Sequence, residues 1–168
     1  GEAVYRQRGF EGASRLTRWR RPAVATAPEA PDLLPAGPSD LDWMAALDAR
    51  ACGAGRRALM ADWLASGVPG WTLGKTGFVL CRPGRVAHQV GPLCAENATT
   101  AEHLLAAAVR AHAGPLLIDV PDGQPHVALL LERAGFTPER AFLRMYLGAD
   151  GSAGDPALLR AIAGPELG

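Results

Sequence analysis

Residues 124–136 read QPHVALLLERAGF, a short amphipathic helix closed by Gly135-Phe136. Val127, Leu130 and Leu131 recur at helical spacing on one side, and Gly135 stands where a left-handed C-terminal cap is needed. Beyond it, residues 141–147 (AFLRMYL) have the composition of a strand. The chain opens on a second version of the same ending: GEAVYRQRGF, residues 1–10, leads into a strand-like run at 14–20.

Upstream of the internal copy the elements alternate. Leu116–Val120 (LLIDV) is a continuous apolar run and reads as a strand buried on both faces, with Pro121-Asp122-Gly123 turning the chain into the helix. The preceding helix has a capping-box signature at Thr99-Thr100-Ala101-Glu102, a buried stripe of Leu104, Leu105, Ala108 and Val109, and a stop at Gly114-Pro115. Between Pro69 and Gly91, short strands at 70–73, 76–82 and 85–90 are punctuated by Gly74-Lys75 and Pro83-Gly84, which predicts an antiparallel meander. Two helices come before it. The first starts at Ser39-Asp40 with Leu41, Met44, Ala45 and Leu47 on its apolar face; after Gly53 and Gly55 the second carries Leu59, Met60, Trp63 and Leu64. The order αα–β–β–β–α–β–α–β predicts an α/β (α+β) fold, a mixed and mainly antiparallel sheet with helices on both faces.

Residues 22–39 (PAVATAPEAPDLLPAGPS) lack apolar periodicity, and their prolines remove donors and fix φ, so an extended linker is expected. The expected organisation is therefore a terminal helix and strand at 1–20, a linker at 21–39, a folded domain at 40–148 and a tail at 149–168 with at most one short helix, at 156–163.

At 168 residues the chain holds one compact domain with short extensions. Seventeen basic and seventeen acidic side chains balance, which argues against a nucleic-acid or polybasic membrane surface. Lys75 is the lone lysine, and the Ala, Arg, Gly and Pro usage fits a GC-rich bacterial genome. No apolar run is long enough to span a bilayer and no signal peptide opens the chain, so a cytoplasmic protein is expected. Cys52, Cys81 and Cys94 are odd in number and form no CxxC, which predicts free, buried thiols. His103, His112 and His126 lie on helices with no partner at metal-ligand spacing, so no metal site is expected, and His88, mid-strand, is a cleft-facing candidate or else a satisfied or exposed histidine.

The order of elements together with QPHVALLLERAGF resembles the GNAT superfamily of acyl-CoA-dependent N-acyltransferases. The family's stretch reads Asn, two residues, Ala, then Tyr four residues before Gly-Phe; Gly135 and Phe136 match, while Gln124, Val127 and Leu131 stand at the Asn, Ala and Tyr positions. Residues 40–148 are more specifically similar to the C-terminal GNAT-like domain of bacterial proteins with two such domains, through Leu47–Arg56, Val90–Ala95, Ile118–Pro121 and Arg144-Met145. In that frame GEAVYRQRGF is the last helix of a first GNAT domain, with Tyr5 four residues before Gly9, and 14–20 is that domain's final strand.

The resemblance implies acetyl-CoA as co-substrate and a small-molecule or protein amine as acceptor. Such chemistry needs amides at a helix N-terminus for the pyrophosphate, a backbone donor on a splayed strand for the oxyanion, a base for the amine and an acid for the leaving thiolate. Thr99, Thr100 and Ala101 are the candidate CoA-binding amides. The family's loop, however, carries Gln or Arg where Glu96 stands and Gly where Thr99 stands, and only Ala101 agrees. Leu131 cannot donate a proton, which leaves Tyr5 as the candidate acid; its alternative is an ordinary amphipathic-helix residue.

Asp48 and Arg56, eight apart, are a candidate ion pair or substrate-carboxylate clamp, or else ordinary surface residues, and Asp119 ends a buried strand where α/β sheets gather ligands, or else caps the following turn. Trp43, Trp63 and Trp71 are expected in the core or at an interface.

Three readings follow: a second, substrate-shaping domain of a two-domain acetyltransferase; a non-catalytic binding or dimerisation module; and an active single domain with a substrate-assisted proton route. The strand at 14–20 is expected as an exposed edge that pairs with another copy or a preceding domain.

Overall fold

The computed structural model describes residues 2–24, 30–148 and 154–167. In chain order the elements are α1 (Glu2–Arg6), β1 (Phe10–Arg21), β2 (Leu34–Pro35), a 3₁₀ turn (Pro38–Asp40), α2 (Leu41–Cys52), α3 (Arg57–Ala65), β3 (Gly70–Thr72), β4 (Gly77–Arg82), β5 (His88–Ala95), α4 (Ala98–Arg110), β6 (Leu116–Pro121), α5 (Pro125–Arg133), β7 (Thr137–Leu147) and β8 (Leu159–Ala161). The strands make one mixed sheet in the order β2-β3-β4-β5-β6-β1-β7, with β8 added against β5. Among the described residues every pairing is antiparallel except β5 with β6. This is the α/β class and mainly antiparallel sheet that the element order implied.

Alternation along β4 explains why its sequence, GFVLCR, reads as a continuous apolar run. Phe78 and Leu80 face one core with Met44, Leu47, Met60 and Leu64 of α2 and α3. Val79 and Cys81 face the other core with Leu104, Leu105 and Ala108 of α4 and Leu131 of α5. A strand covered on both faces has no polar side to show. Thus α2 and α3 lie on one face of the sheet and α4 and α5 on the other.

Four local expectations are corrected. First, the strand at 14–20 is not an exposed edge: β1 runs between β6 and β7, pairing Leu16 with Pro121 on one side and with Phe142 on the other. The sheet edges are β2 and β7. Second, α4 is capped by Asn97 and not by Thr99; the Asn97 side chain accepts from the Thr100 amide at 2.8 Å. Asn97 has the short acceptor that an N-cap needs, and the helix starts two residues earlier than the capping-box pattern suggested. Third, β5 does not stop at Val90. It continues through Gly91-Pro92 to Ala95 because Leu93 and Cys94 pair with Val79 and Phe78 of β4. Fourth, the tail forms a strand, β8, where a short helix was expected.

Among the described residues, the segment at 22–39 carries β2, paired with β3 through Leu34↔Thr72, and the start of the 3₁₀ turn at Pro38. The part of the expected linker at 25–29 lies outside the described residues. Cys52, Cys81 and Cys94 are free and buried, as expected.

Candidate functional site

The parallel pair at the sheet centre is short. β5 and β6 register over His88↔Leu116, Gln89↔Leu117 and Val90↔Ile118, and there the ladder ends. Past that point the two strands separate, and their freed backbone groups face a gap opening toward the start of α4. In an α/β sheet the carboxyl ends of parallel strands are where ligands collect. A thioester laid in this gap would find backbone donors for its oxyanion along β5 and the first amides of α4 beyond.

The gap is filled by the chain's own tail. β8 pairs with β5 through Leu93↔Ala161 and Cys94↔Leu159, while the Ile162 amide donates to the Asp119 carbonyl of β6 at 2.9 Å. The Ala95 amide, at the end of the splayed strand, donates to the Leu158 carbonyl at 3.0 Å. Residues 158–163 are all buried. Side chains from the rest of the fold hold the segment down. Gln124 donates to the Leu159 carbonyl, Arg82 to the Ala163 carbonyl, and Arg56 Nη1 to the Leu167 carbonyl at 2.9 Å. Arg160 sets its guanidinium beside the Ala95 carbonyl, Gln124 and His126, at 3.3–3.4 Å. Burial depresses its pKa, and Asp155 opposes that.

Gly91 permits this approach. Its φ is +143°, and a Cβ there would sit 2.1 Å from the Ile162 carbonyl oxygen. The sequence signal was present in Gly91-Pro92, but nothing in it names the residue some seventy positions on that comes so close.

Asp48 and Arg56 are an ion pair, with Nη2 at 2.6 Å from Oδ1 and Nε at 2.9 Å from Oδ2. Asp48 is fully buried and the Arg56 side chain nearly so. Burial works against the guanidinium charge, but the hydrogen bonds and charge of Asp48 outweigh it and raise the Arg56 pKa. The fork therefore closes on Asp48 and the tail, and joins α2 to the start of α3.

Asp119, also fully buried, accepts a bidentate fork from Arg18 of β1 at 2.7 and 2.8 Å, plus Gln89 Nε2 at 3.1 Å. The Asp119 hydrogen bonds, against a burial cost, hold the Arg18 pKa up. Asp119 does not cap the following turn; Asp122, which accepts from the Thr17 hydroxyl at 2.8 Å, lies in that turn. Arg18 was not singled out in the sequence, because its partner lies across the β1–β6 pairing.

The helix-start residues are divided. Thr99 is exposed, whereas Thr100 and Ala101 are buried, and the Thr100 amide is taken by Asn97. Glu96 is exposed at the mouth of the turn. Leu131, at the family's tyrosine position, is fully buried in the α4–α5 core.

Tyr5 lies elsewhere. It is exposed, its ring is edge-on to Phe10 at 5.4 Å, and it lines a cleft of about 760 Å³ between α1, the β1–β7 ribbon and residues 162 and 165. Asp48, Arg56, Asp119 and Thr99–Ala101 do not line that cleft.

No cluster of three or more His, Cys, Asp or Glu side chains able to hold a metal is found among the described residues. His88 and His112 pack ring to ring at 4.6 Å, and burial followed by the neighbouring His112 lowers the His88 pKa. Burial pushes the Cys81 thiol up to about 12 against the pull of Arg21, and puts Cys94 well above the ordinary range with Asp48 adding to it. Both thiols are expected to resist a disulfide-exchange reagent at pH 8 in the folded chain and to react once it is denatured, since only the thiolate attacks. Reagent titration with mass mapping checks this; rapid native labelling of Cys81 would contradict the buried, uncharged thiol.

A mixed sheet with a single parallel pair that opens at its carboxyl end, two helices on each face, and a helix starting beyond the opening defines the acyl-CoA-dependent N-acyltransferase fold. The family model described as an acetyltransferase (GNAT) domain matches residues 44–158, and the chain belongs to the GNAT family.

Solved structures agree on the fold. A candidate acetyltransferase from Pyrococcus horikoshii superposes with a TM-score of 0.79 at 22% identity, covering 100% of this chain and 57% of that one. A GCN5-related N-acetyltransferase from Kribbella flavida superposes with a TM-score of 0.59 at 21% identity, covering 86% of this chain and 40% of that one. One from Sphaerobacter thermophilus gives 0.59 at 14% identity, covering 92% and 58%. This chain therefore spans between two fifths and three fifths of the length of these three structures. No curated protein matches it.

Proposed function

We propose that this chain works as the second, acceptor-side domain of a two-domain GNAT acetyltransferase in the bacterial cytoplasm, and that its own sheet opening does not transfer acetyl groups. In this reading α1 and β1 belong by ancestry to a preceding GNAT domain and are shared with this sheet. Acetyl-CoA binds to that preceding domain, Tyr5 serves it as the acid for the leaving thiolate, and the acceptor is a small-molecule or protein amine.

The observation that carries the reading is the tail. Leu158–Ala163 occupies the gap between β5 and β6, and the Ala95 amide that would face a thioester oxygen is already bonded to Leu158. Three further departures agree with it: Glu96 brings negative charge toward a phosphate, Thr99 puts a branched side chain where backbone must approach closely, and Leu131 cannot supply a proton. The share of longer GNAT structures that this chain covers is also consistent with a larger protein.

A second reading keeps the fold as a binding or dimerisation module. It is favoured by β7, an eleven-residue strand that among the described residues pairs with β1 alone, so that its other edge can offer backbone groups to another chain.

Calorimetric titration of the chain with acetyl-CoA tests the proposal. No heat of binding up to about 1 mM ligand, roughly the weakest affinity of interest, is the expected result. Micromolar binding, competed by free CoA, would overturn it and return the sheet opening to catalysis.

A further inference from the structure

β7 is a long edge of the sheet, and among the described residues its ladder runs to β1 alone. No backbone hydrogen bond from a turn or loop among those residues reaches it. Alternate amides and carbonyls therefore point outward, as on any open strand edge, where a further strand can take them. From Arg140 to Leu147 the edge is regular. The register shift between Gly12 and Ser14 puts its extra residue in β1, and the other shift puts one at Glu139. Side chains alternate across the sheet, so Arg140, Phe142 and Arg144 stand in a row on one face, the two arginines about 13 Å apart along the strand.

Neither guanidinium has an acid to pair with. Among the described residues no ion pair includes Arg140 or Arg144; Glu139 goes to Arg20 at 3.2 Å and Glu2 to Arg6 at 2.8 Å. Arg140 is exposed and lies over the Phe142 ring at 4.3 Å. Arg144 lies over the Tyr146 ring at 5.2 Å and donates once, to the Cys52 carbonyl at 3.3 Å. Stacking on different rings holds the two apart, so one small anion does not bridge them. An extended chain does have side chains at this interval, because every fourth residue of a strand returns to the same face about 13 Å on. Like charge also decides against a second copy of this edge. Two antiparallel β7 strands would gather four guanidiniums on one face, and like charges across strands destabilise a pair. An acidic strand gains from the same row.

We propose that the outer edge of β7 binds an extended acidic segment of a partner protein as an added strand. Two carboxylates of that segment, four residues apart, pair one with Arg140 and the other with Arg144. The apolar residue midway between them lies beside Phe142. Backbone bonds along the edge supply binding that is indifferent to sequence, and the spacing of the two acids supplies the selection. Each guanidinium is already held in plane by its own ring, so little freedom is lost when it takes a carboxylate. The inference rests on the second reading above, in which the fold is a binding module, and names what that module binds. It does not depend on whether the domain transfers acetyl groups.

The test uses the whole chain and the peptide acetyl-TTETVTETT-amide, whose two glutamates and central valine share one strand face. Binding is followed by NMR shifts and hydrogen exchange of the β7 amides. It is expected at sub-millimolar concentration, with exchange slowed at alternate amides of Arg140–Leu147 and affinity falling as salt is raised. Replacing both glutamates by glutamine, or setting them side by side in acetyl-TTEEVTTTT-amide, should weaken binding at least tenfold. Arg140→Gln and Arg144→Gln should each weaken it about fivefold, the size of a partly exposed charge pair. Each variant should also become indifferent to one glutamate and stay sensitive to the other, which a double-mutant cycle reads. Arg110→Gln, on α4, is the control and should change nothing, with thermal melts establishing that each variant is folded. Equal binding of the glutamine peptide, with β7 amides slowed, would overturn the acidic partner and leave the open edge standing. The same holds if both arginine variants lose the same glutamate or neither. A chain that sediments as a dimer with those amides already protected would overturn the partner in favour of a second copy, and tighter binding of an oligothymidylate of similar length would do so in favour of a nucleic acid. No binding of any peptide up to about 1 mM would overturn both the partner and the binding-module reading.

Discussion

Arg56→Ala is expected to lower the stability of this chain by about 3–5 kcal/mol, the range for leaving one member of a buried ion pair unpaired. Asp48 is wholly buried and accepts both arms of the Arg56 fork at 2.6 and 2.9 Å. Removing the guanidinium strands that carboxylate beneath α2, where the nearby Cys94 thiol, at 3.9 Å, is a weak substitute. The same change frees the Leu167 carbonyl, so the end of the tail loosens together with the α2–α3 junction. Urea denaturation followed by tryptophan fluorescence measures the loss, since Trp43 and Trp63 pack against this core. The double variant Asp48→Leu with Arg56→Met separates the two parts of the effect. An apolar pair of similar volume should recover most of the stability, because the cost lies in the orphaned charge and not in the lost attraction. A single variant within about 0.5 kcal/mol of wild type, the range of an ordinary surface change, would show that water reaches Asp48.

Gly91→Ala is the second large effect. An alanine at φ +143° occupies a region that costs a non-glycine residue about 1–3 kcal/mol. Its Cβ would also lie 2.1 Å from the Ile162 oxygen, which is backbone and cannot rotate away. β8 must therefore move off β5, and the Ala95 and Ile162 amides lose the carbonyls of Leu158 and Asp119. Hydrogen exchange at these two amides is expected to accelerate at least tenfold, about 1.4 kcal/mol of local opening, while that of the α4 amides changes only with global stability. Gly114→Ala is the matched control. Nothing lies within 4 Å of its Cβ direction and its φ is ordinary, so it should leave stability within about 0.5 kcal/mol or raise it slightly. If Gly91→Ala behaves like the control, β8 is not seated in the opening. If the freed opening then binds acetyl-CoA while the parent chain does not, the tail is what closes it.

These two sites illustrate what one-dimensional reading reaches. The helices at 98–110 and 125–133 were legible from the spacing of Leu104, Leu105, Ala108 and Val109 and of Val127 and Leu131, because one buried face forces a period near 3.6. The meander was legible from its Gly and Pro turns. The Asp48–Arg56 pairing was legible as a candidate because both residues sit within one helix–turn–helix, eight positions apart.

Asp119 shows the limit. Its position at the end of a buried strand marked it as important, but its partner is Arg18, 101 residues away, brought there by the insertion of β1 between β6 and β7. The cleft on β7 shows the same limit in another form. The alternation of Arg140, Phe142, Arg144 and Tyr146 is visible in the sequence, yet it reads as an ordinary strand face until α1 and residues 162 and 165 wall it in.

By itself the sequence determined the class of this protein: helix periods, turn residues and the Gly-Phe ending are local physics, set by neighbours within a few positions, and together they define a GNAT domain. Only the tertiary structure decided what fills its opening. A tail of ordinary apolar residues, Leu158 to Ala163, has no local signal that sends it into a gap between two strands. It goes there because β5 and β6 diverge and leave backbone donors and acceptors that must be paired, and that requirement exists only once the sheet has formed.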